Sequence, residues 1–326
     1  MTLTVVKAEG SARELGIAQG AASAEGIARA LALYDGIARR SDSSLEDMRG
    51  LARPYIEATR ERLPHLADEV EGLAAGAEIA PEDAWVLNAI EELLPAEACT
   101  SMVQGRFFMH AEQWYAGHDD IVVVLASPSD GPPFIAPTCS GFLPAVGFNS
   151  AGFAQGIDSL TAPGDRVGVP RVLVSRLALG SASMDEAIVA AAISGRAGGY
   201  AHLLASPDRR VAVESTASRV EVLEDATVHT NHYLSGIIGN GASEGSRARL
   251  KRATDLLRSR PPRSLQDCTA ILSDHDADPQ SICVHQQGPD AEATVFGMAC
   301  DLATGEMLVS DGSPCEGRWE SFEAPS

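Results

Sequence analysis

The sequence predicts an α+β protein: a four-layer αββα sandwich of two antiparallel sheets, preceded by a helical N-terminal segment. Three observations predict it. From Ser11 to Leu94 apolar residues recur at helical spacing, from Cys99 onward runs rich in Val, Ile and Phe read as strands, and two pairs of short helices interrupt those strands. Strands in series with helical hairpins between them fold simply as two stacked sheets with helices outside. The pattern switches at Glu97-Ala98-Cys99-Thr100-Ser101, dividing one compact domain into a helical segment, 1–98, and a strand-rich part, 99–326.

In order, Val5-Val6 is a short strand or lead-in. Gly10-Ser11-Ala12-Arg13-Glu14 carries a capping box, an N-cap serine with a glutamate three residues on, and opens a helix to about Arg40. Gly16, Gly20 and Gly26 in that helix permit close packing against a neighbour. Further helices are expected over Ser44–Leu63, Leu66–Ala77 and Pro81–Leu93, the last with proline at its first position. Strands follow at Ser101–Val103, running on to His110, and at Ile121–Leu125, an apolar run fit for burial on both faces. The turn Asp130-Gly131-Pro132-Pro133 leads into Pro133–Pro137, and Asn149-Ser150-Ala151-Gly152 joins a hairpin of Val146–Asn149 and Gly152–Asp158.

Helices Pro170–Leu179 and Ser183–Ala192 come next, the second with a capping box at Ser183-Met184-Asp185-Glu186. Strands resume at His202–Ala205, Val211–Ser215, Val220–Leu223 and Thr227–Thr230. Helices Ser243–Arg258 and Ser264–Leu272 precede closing strands at Ser281–His285, Thr294–Cys300 and Met307–Val309, then a loop at Asp311–Cys315.

Composition narrows the function. A formal charge of −20 and a pI near 4.7 over 326 residues oppose binding to nucleic acid or to an anionic membrane surface. No window approaches a membrane span, and the N-terminus lacks the basic-then-apolar pattern of a signal peptide, so a cytoplasmic location is expected. The six cysteines (Cys99, Cys139, Cys268, Cys283, Cys300, Cys315) stand at wide, irregular intervals with no C-x-x-C pair, and reduced thiols are expected. Cys139 is a candidate for a pocket wall; Cys268, Cys283, Cys300 and Cys315 read as core.

Two stretches carry chemistry. A cysteine followed by two hydroxyl residues at a helix-to-strand transition is a candidate nucleophile, against a buried core thiol. In Val228-His229-Thr230-Asn231-His232-Tyr233 the two histidines are three apart, so on a strand they face opposite ways and do not share an ion. Asn231 at a strand end is a candidate oxyanion donor, against a satisfied buried amide. Glu214 is a candidate for a salt bridge, for instance with Arg171. The basic run Arg247, Arg249, Lys251 and Arg252 is either a solvated face or a site for a substrate carboxylate.

Together with Gly10–Gly16, His110–Trp114, Gly147–Gly152, Asp158-Ser159-Leu160, Val169-Pro170-Arg171 and Val213-Glu214-Ser215, these motifs resemble the acyl-coenzyme A:6-aminopenicillanic acid acyltransferase family of N-terminal-nucleophile hydrolases, over nearly the full length. The resemblance implies that the precursor cuts itself between Ala98 and Cys99. Fragment 1–98 then remains as a small subunit beside 99–326. The Cys99 thiol is the nucleophile, its freed α-amine (reference pKa about 7.7–8.0) the base, and Asn231 the oxyanion donor. Gln113 stands where the family carries an aspartate that supports the nucleophile, leaving Glu112, Asp119 and Asp120 as candidate replacements. Thr100, Trp114, Asp158 and His229 are placed at the substrate, with Asp158 where asparagine is usual.

The implied activity is hydrolysis or transfer of the acyl group of a small N-acylated compound, with no cofactor and no metal. A homo-oligomer is allowed. Two other readings use the same residues: a binding or scaffold protein that never processes, because Gln113 replaces the acid, and an uncut cysteine enzyme with His110, His229 or His232 as base.

Overall fold

The computed structural model describes residues 3–94, 99–238, 243–288 and 291–323, so Ala98, the first residue of the expected cleavage site, lies outside the described residues. The N-terminal segment opens with a strand, β1 (Thr4–Gly10), followed by α1 (Ala12–Arg40), α2 (Leu45–Arg62), α3 (Pro64–Gly76), α4 (Pro81–Asn88) and α5 (Ile90–Leu93). The capping box of α1 is formed: the Ser11 hydroxyl accepts from Glu14 N–H, and the Glu14 carboxylate accepts from Ser11 N–H at 2.8 Å. Glycine lets α1 and α3 meet backbone to backbone. A Cβ at Gly16 or Gly20 would overlap the Glu69 or Leu73 carbonyl, and one at Gly72 or Gly76 would overlap the Arg13 or Ile17 carbonyl.

The strand-rich part comprises β2 (Cys99–Gln104), β3 (Phe107–Tyr115), β4 (Ile121–Pro128), β5 (Phe134–Cys139), β6 (Gly147–Asn149) and β7 (Phe153–Leu160). Then come α6 (Arg171–Leu179), α7 (Met184–Ala191), β8 (Gly199–Ala205), β9 (Arg210–Ser215), β10 (Val220–Glu224) and β11 (Val228–His229). The chain closes with α8 (Glu244–Ser259), α9 (Leu265–Leu272), β12 (Glu292–Asp301), β13 (Glu306–Asp311) and β14 (Arg318–Glu323). At α7 only half of the expected box forms: the Ser183 hydroxyl accepts from Glu186 N–H, but the Glu186 carboxylate accepts from Ala182 N–H instead.

The expected two stacked sheets are present. One runs β1-β4-β5-β6-β7-β8-β9-β10 and the other β11-β2-β3-β12-β13-β14. Pairing is antiparallel throughout except at β1 and β4, which run parallel in register from Thr4 opposite Val122 to Gly10 opposite Pro128. Between the sheets lies the main core, with Val103, Phe108, Trp114, Leu203, Phe296 and Met298. Leu256, Leu257, Ile271 and Leu272 of α8 and α9 pack on Met102, Met109 and Ala111 on the outer face of the smaller sheet. Residues of α6 and α7 cover Phe153, Leu204 and Val213 of the larger one, and Leu15 of α1 joins the valines of β4.

Two expectations fail. Ser281–His285 forms a loop rather than a strand, held by Val284 N–H donating to the Thr294 hydroxyl at 2.9 Å instead of by a ladder. And β14 follows the Asp311–Cys315 loop where the sequence reading ended; its mixed pattern Arg-Trp-Glu-Ser-Phe-Glu suits an edge strand paired on one side only. Among the described residues no helix is long and apolar enough to cross a membrane.

Candidate active site

The site begins with a hairpin. Gly105-Arg106 turns β2 into β3 with Gly105 at φ +58°, a conformation that glycine adopts without strain. Gln104 therefore opposes Phe107, and counting back puts Ser101 opposite His110 and Cys99 opposite Glu112. Alternation then sends Cys99, Ser101, His110 and Glu112 to the face between the sheets and Thr100, Ala111 and Gln113 to the outer face.

On the inner face these side chains form one chain of contacts. The Cys99 thiol lies 3.7 Å from Glu112 Oε1, Glu112 Oε2 is 2.8 Å from His110 Nε2, and His110 Nδ1 is 3.0 Å from the Ser101 hydroxyl. Gly156 on β7, in the facing sheet, leaves room for this: a Cβ there would crowd the Ser101 hydroxyl and the His110 ring. Burial pushes the Cys99 thiol pKa well above its ordinary value, and the nearby Glu112 and Asp158 carboxylates push the same way. An unassisted thiolate is thus disfavoured.

Asn231 reaches Cys99 from β11. The β11–β2 ladder ends at His229 opposite Ser101, and two residues further Asn231 Oδ1 accepts from the Cys99 backbone N–H at 2.9 Å. Its Nδ2 donates to the Ser159 carbonyl at 3.1 Å, and Arg249 of α8 donates to its Oδ1. The oxygen of Asn231 thus holds the Cys99 nitrogen. One of the two Nδ2 hydrogens is committed to Ser159, leaving the other as the donor available to an oxyanion.

A narrow cleft of about 30 Å³ adjoins this face, lined by Glu91, Glu112, Trp114, Cys139, Phe142 and Phe296 among others. Trp114 is fixed there by donating from Nε1 to the Tyr34 hydroxyl at 2.5 Å. Glu91 accepts from the Ser159 hydroxyl at 2.9 Å and from the Tyr200 hydroxyl, and burial, tempered by Arg171, lifts its pKa to about 7.

Behind Asn231 sits a buried ionic cluster. His229 Nε2 is 2.9 Å from Glu214 Oε1, and His229 Nδ1 is 3.6 Å from Asp158 Oδ2. Burial lowers the His229 pKa, but Asp158 and Glu214 outweigh it and hold the imidazole at about 9. Glu214 also accepts from the Leu234 and Ser235 N–H groups.

The structure brings Cys99, Asn231 and Trp114 to one place and Asp158 and His229 just behind it. It does not bring Thr100 or the Gln113 side chain there. Thr100 is buried on the outer face of β2, and Gln113 Nε2 donates to the Ile282 carbonyl at 2.8 Å, so that only its backbone carbonyl approaches the thiol, at 3.9 Å. A one-residue step along a strand reverses the side-chain direction, so the carboxylate beside the thiol belongs to Glu112. Glu214 pairs with His229, not Arg171, which pairs with Glu92 at 3.0 Å and with Asp165. Arg249 is buried at the site instead of on a solvated face. Cys139 lines the cleft, and Cys268, Cys283 and Cys300 are buried, whereas Cys315 is exposed. Sequence reasoning missed Glu91 and the Ser101–His110 pair; the hairpin register would have found the pair.

Two stacked sheets with outer helices, and a cysteine opening β2 of one, form the αββα sandwich that the resemblance leads one to expect. The sequence profile described as acyl-coenzyme A:6-aminopenicillanic acid acyl-transferase matches residues 99–315, and the chain belongs to this family. It is 27% identical over 298 residues to the acyl-coenzyme A:6-aminopenicillanic-acid-acyltransferase 40 kDa form of Emericella nidulans, covering 85% of this chain and 82% of that protein. Among solved structures it is similar to penicillin V acylase from Agrobacterium tumefaciens, with a TM-score of 0.43, 12% identity, and coverage of 69% of this chain and 86% of that one. A mutant of conjugated bile acid hydrolase from Clostridium perfringens matches with a TM-score of 0.38 and 8% identity, covering 70% of this chain and 97% of that one. The chain is an enzyme of this acyl-transfer class.

Proposed function

We propose that the protein is a self-processing cysteine amidohydrolase or acyltransferase that removes or transfers the acyl group of a small N-acylated compound. The observation that carries this reading is the double engagement of one residue: Asn231 holds the Cys99 nitrogen at 2.9 Å while the Cys99 thiol meets Glu112 at 3.7 Å. A nucleophile whose own nitrogen becomes its base requires both atoms to be fixed.

In processing, the thiol gives its proton to Glu112 as sulfur bonds to the Ala98 carbonyl carbon. The C–N bond to Cys99 breaks, and the nitrogen leaves as an amine after taking a proton. Water then cleaves the resulting thioester, leaving an Ala98 carboxylate and a free thiol. Glu112 supplies the acid that Gln113 does not, and His110 orients Glu112 from behind. In turnover the new α-amine of Cys99 takes the thiol proton, and its ammonium form pairs with Glu112 and Asn231. The second Nδ2 hydrogen of Asn231 is the oxyanion donor. The acyl portion of the substrate occupies the cleft of Trp114, Phe142 and Phe296, whose largely apolar lining suits a hydrophobic acyl group. Hydrolysis is favoured over transfer, since the described residues that line the cleft include no lysine or arginine to meet a coenzyme A phosphate.

Fragment 1–98 would stay bound after cleavage as a small subunit, because β1 pairs with β4 over seven residues and α1 to α4 contribute to the main core. Intact-mass analysis of purified protein tests the proposal. Two fragments divided before Cys99, replaced by one 34.1 kDa species in Cys99→Ala, are expected. A wild-type chain that stays whole and leaves small N-acyl amides untouched overturns it.

A further inference from the structure

A second cluster of thiols and imidazoles lies apart from the Cys99 site. His275 follows α9, Cys283 and His285 lie on the loop before β12, and Cys315 lies on the loop between β13 and β14. The four donor atoms, one from each residue, all fall within 4.8 Å of one another. His275 Nε2 and His285 Nε2 are 2.9 Å apart, Cys283 Sγ and Cys315 Sγ 3.6 Å, and Cys315 Sγ and His285 Nε2 3.5 Å.

We infer that these residues form a structural site for a zinc-class divalent ion. The warrant is geometric. Metal–sulfur bonds of about 2.3 Å and metal–nitrogen bonds of about 2.0–2.1 Å, arranged tetrahedrally, place donors about 3.8 Å apart for two sulfurs, about 3.5 Å for sulfur and nitrogen and about 3.3 Å for two nitrogens. The Cys283–Cys315 and Cys315–His285 separations match within about 0.2 Å, the two imidazoles need only separate by about 0.4 Å, and the remaining pairs lie within 4.8 Å. A Cys283–Cys315 disulfide would require the sulfurs to close to about 2.05 Å. The donor set is two sulfurs and two imidazole nitrogens with no carboxylate, which suits zinc and disfavours magnesium or calcium. Binding releases one proton from each thiol to solvent, and the two thiolates neutralise the ion's charge.

The scaffold around the four residues is in place. Cys283 N–H donates to the Asp274 carbonyl at 3.0 Å, next to His275. The neighbouring Ile282 carbonyl accepts from Gln113 Nε2 at 2.8 Å and from the Thr294 hydroxyl at 3.2 Å, while the Ser313 hydroxyl donates to the Thr294 carbonyl at 3.1 Å. An ion here would fasten the Cys315 loop to the 281–285 loop, and through Ile282 to the residue after Glu112. This gives the loop that replaces an expected strand a reason for its fixed path.

The test uses full-length protein stripped with a chelator, kept reduced, and titrated first with cobalt(II) and then with zinc. One cobalt per chain is expected, with the thiolate-to-metal charge-transfer and visible bands of a tetrahedral site, bleached by one equivalent of zinc. Cys315→Ser, at an exposed position, should stay folded by circular dichroism and weaken uptake by more than about tenfold. Cys99→Ala should bind cobalt as wild type does, which separates this site from the Cys99–His110–Glu112 group. Failure of the reduced wild type to take up either ion overturns the inference. So does uptake unchanged in Cys315→Ser or lost in Cys99→Ala.

Discussion

The two cysteine–histidine clusters use the same residue types to opposite ends. Around Cys99 the side chains of Ser101, His110 and Glu112 sit on paired strands, alternate positions fix the facing, and a glutamate stands between thiol and imidazole. Burial holds the proton on the sulfur, and the nearby Glu112 and Asp158 carboxylates push the same way. Around Cys283 the donors come from separate loop segments, one is exposed, and thiols and imidazoles meet without a carboxylate between them. A carboxylate among the donors makes a proton-transfer device, whereas soft donors alone make a nest for an ion.

This contrast can be broken most sharply at Glu112. Glu112→Gln keeps the shape of the side chain but removes the proposed acceptor for the thiol proton. Processing, followed by the loss of full-length chain on a denaturing gel, should slow by about 10²–10⁴-fold, while cobalt uptake at the other cluster should not change. Processing at the wild-type rate would mean that Glu112 takes no proton.

Asn231→Ala tests the second support of Cys99. It releases the Cys99 nitrogen and deletes the amide donor, and a fall of about 10²–10³-fold in turnover of a chromogenic N-acyl substrate is expected. If KM rises while kcat is unaltered, Asn231 serves binding alone.

The smallest effect concerns the charges behind the site. Since the folded His229 pKa is about 9 against an ordinary 6.5, its ionic cluster stabilises the fold fully below pH 6.5. That stability is lost as pH rises through about 9, on the order of 3 kcal/mol in all. Urea denaturation across that window should show the decline in wild type and none in His229→Gln. A flat wild-type profile would show that His229 is neutral in the folded protein.

Much of this architecture is legible in the sequence, and the places where it is not have physical causes. The helix starts at Ser11 and Pro81, and the apolar run of β4, carry local signals strong enough to survive tertiary context. Cys99 and Asn231 are findable because each is embedded in a motif. The Gln113 and Glu112 pair is harder, since neighbours on a strand are distinguished only by register. The signal for that register was present in Gly105-Arg106, a two-residue turn whose position dictates that Cys99 faces Glu112. The 275–315 cluster has no such signal: a C-x-H pair, a histidine eight residues before it and a cysteine thirty residues after it match no zinc-ligand spacing. It exists only once the loops are folded together.

The parallel strand β1 carries a consequence for solubility. It occupies the rim of the eight-stranded sheet beside Val122, Val123 and Val124 of β4, and its own outward rim bears the exposed Lys7 and Glu9. Charged residues on a rim discourage other chains from adding to it, whereas a bare valine-rich edge is a template for aggregation. If the chain is severed before Cys99, the excised piece serves as a permanent guard over an adhesive edge. Washing it away would bare that edge and at the same time take Glu91 from the cleft and the Tyr34 hydroxyl from Trp114.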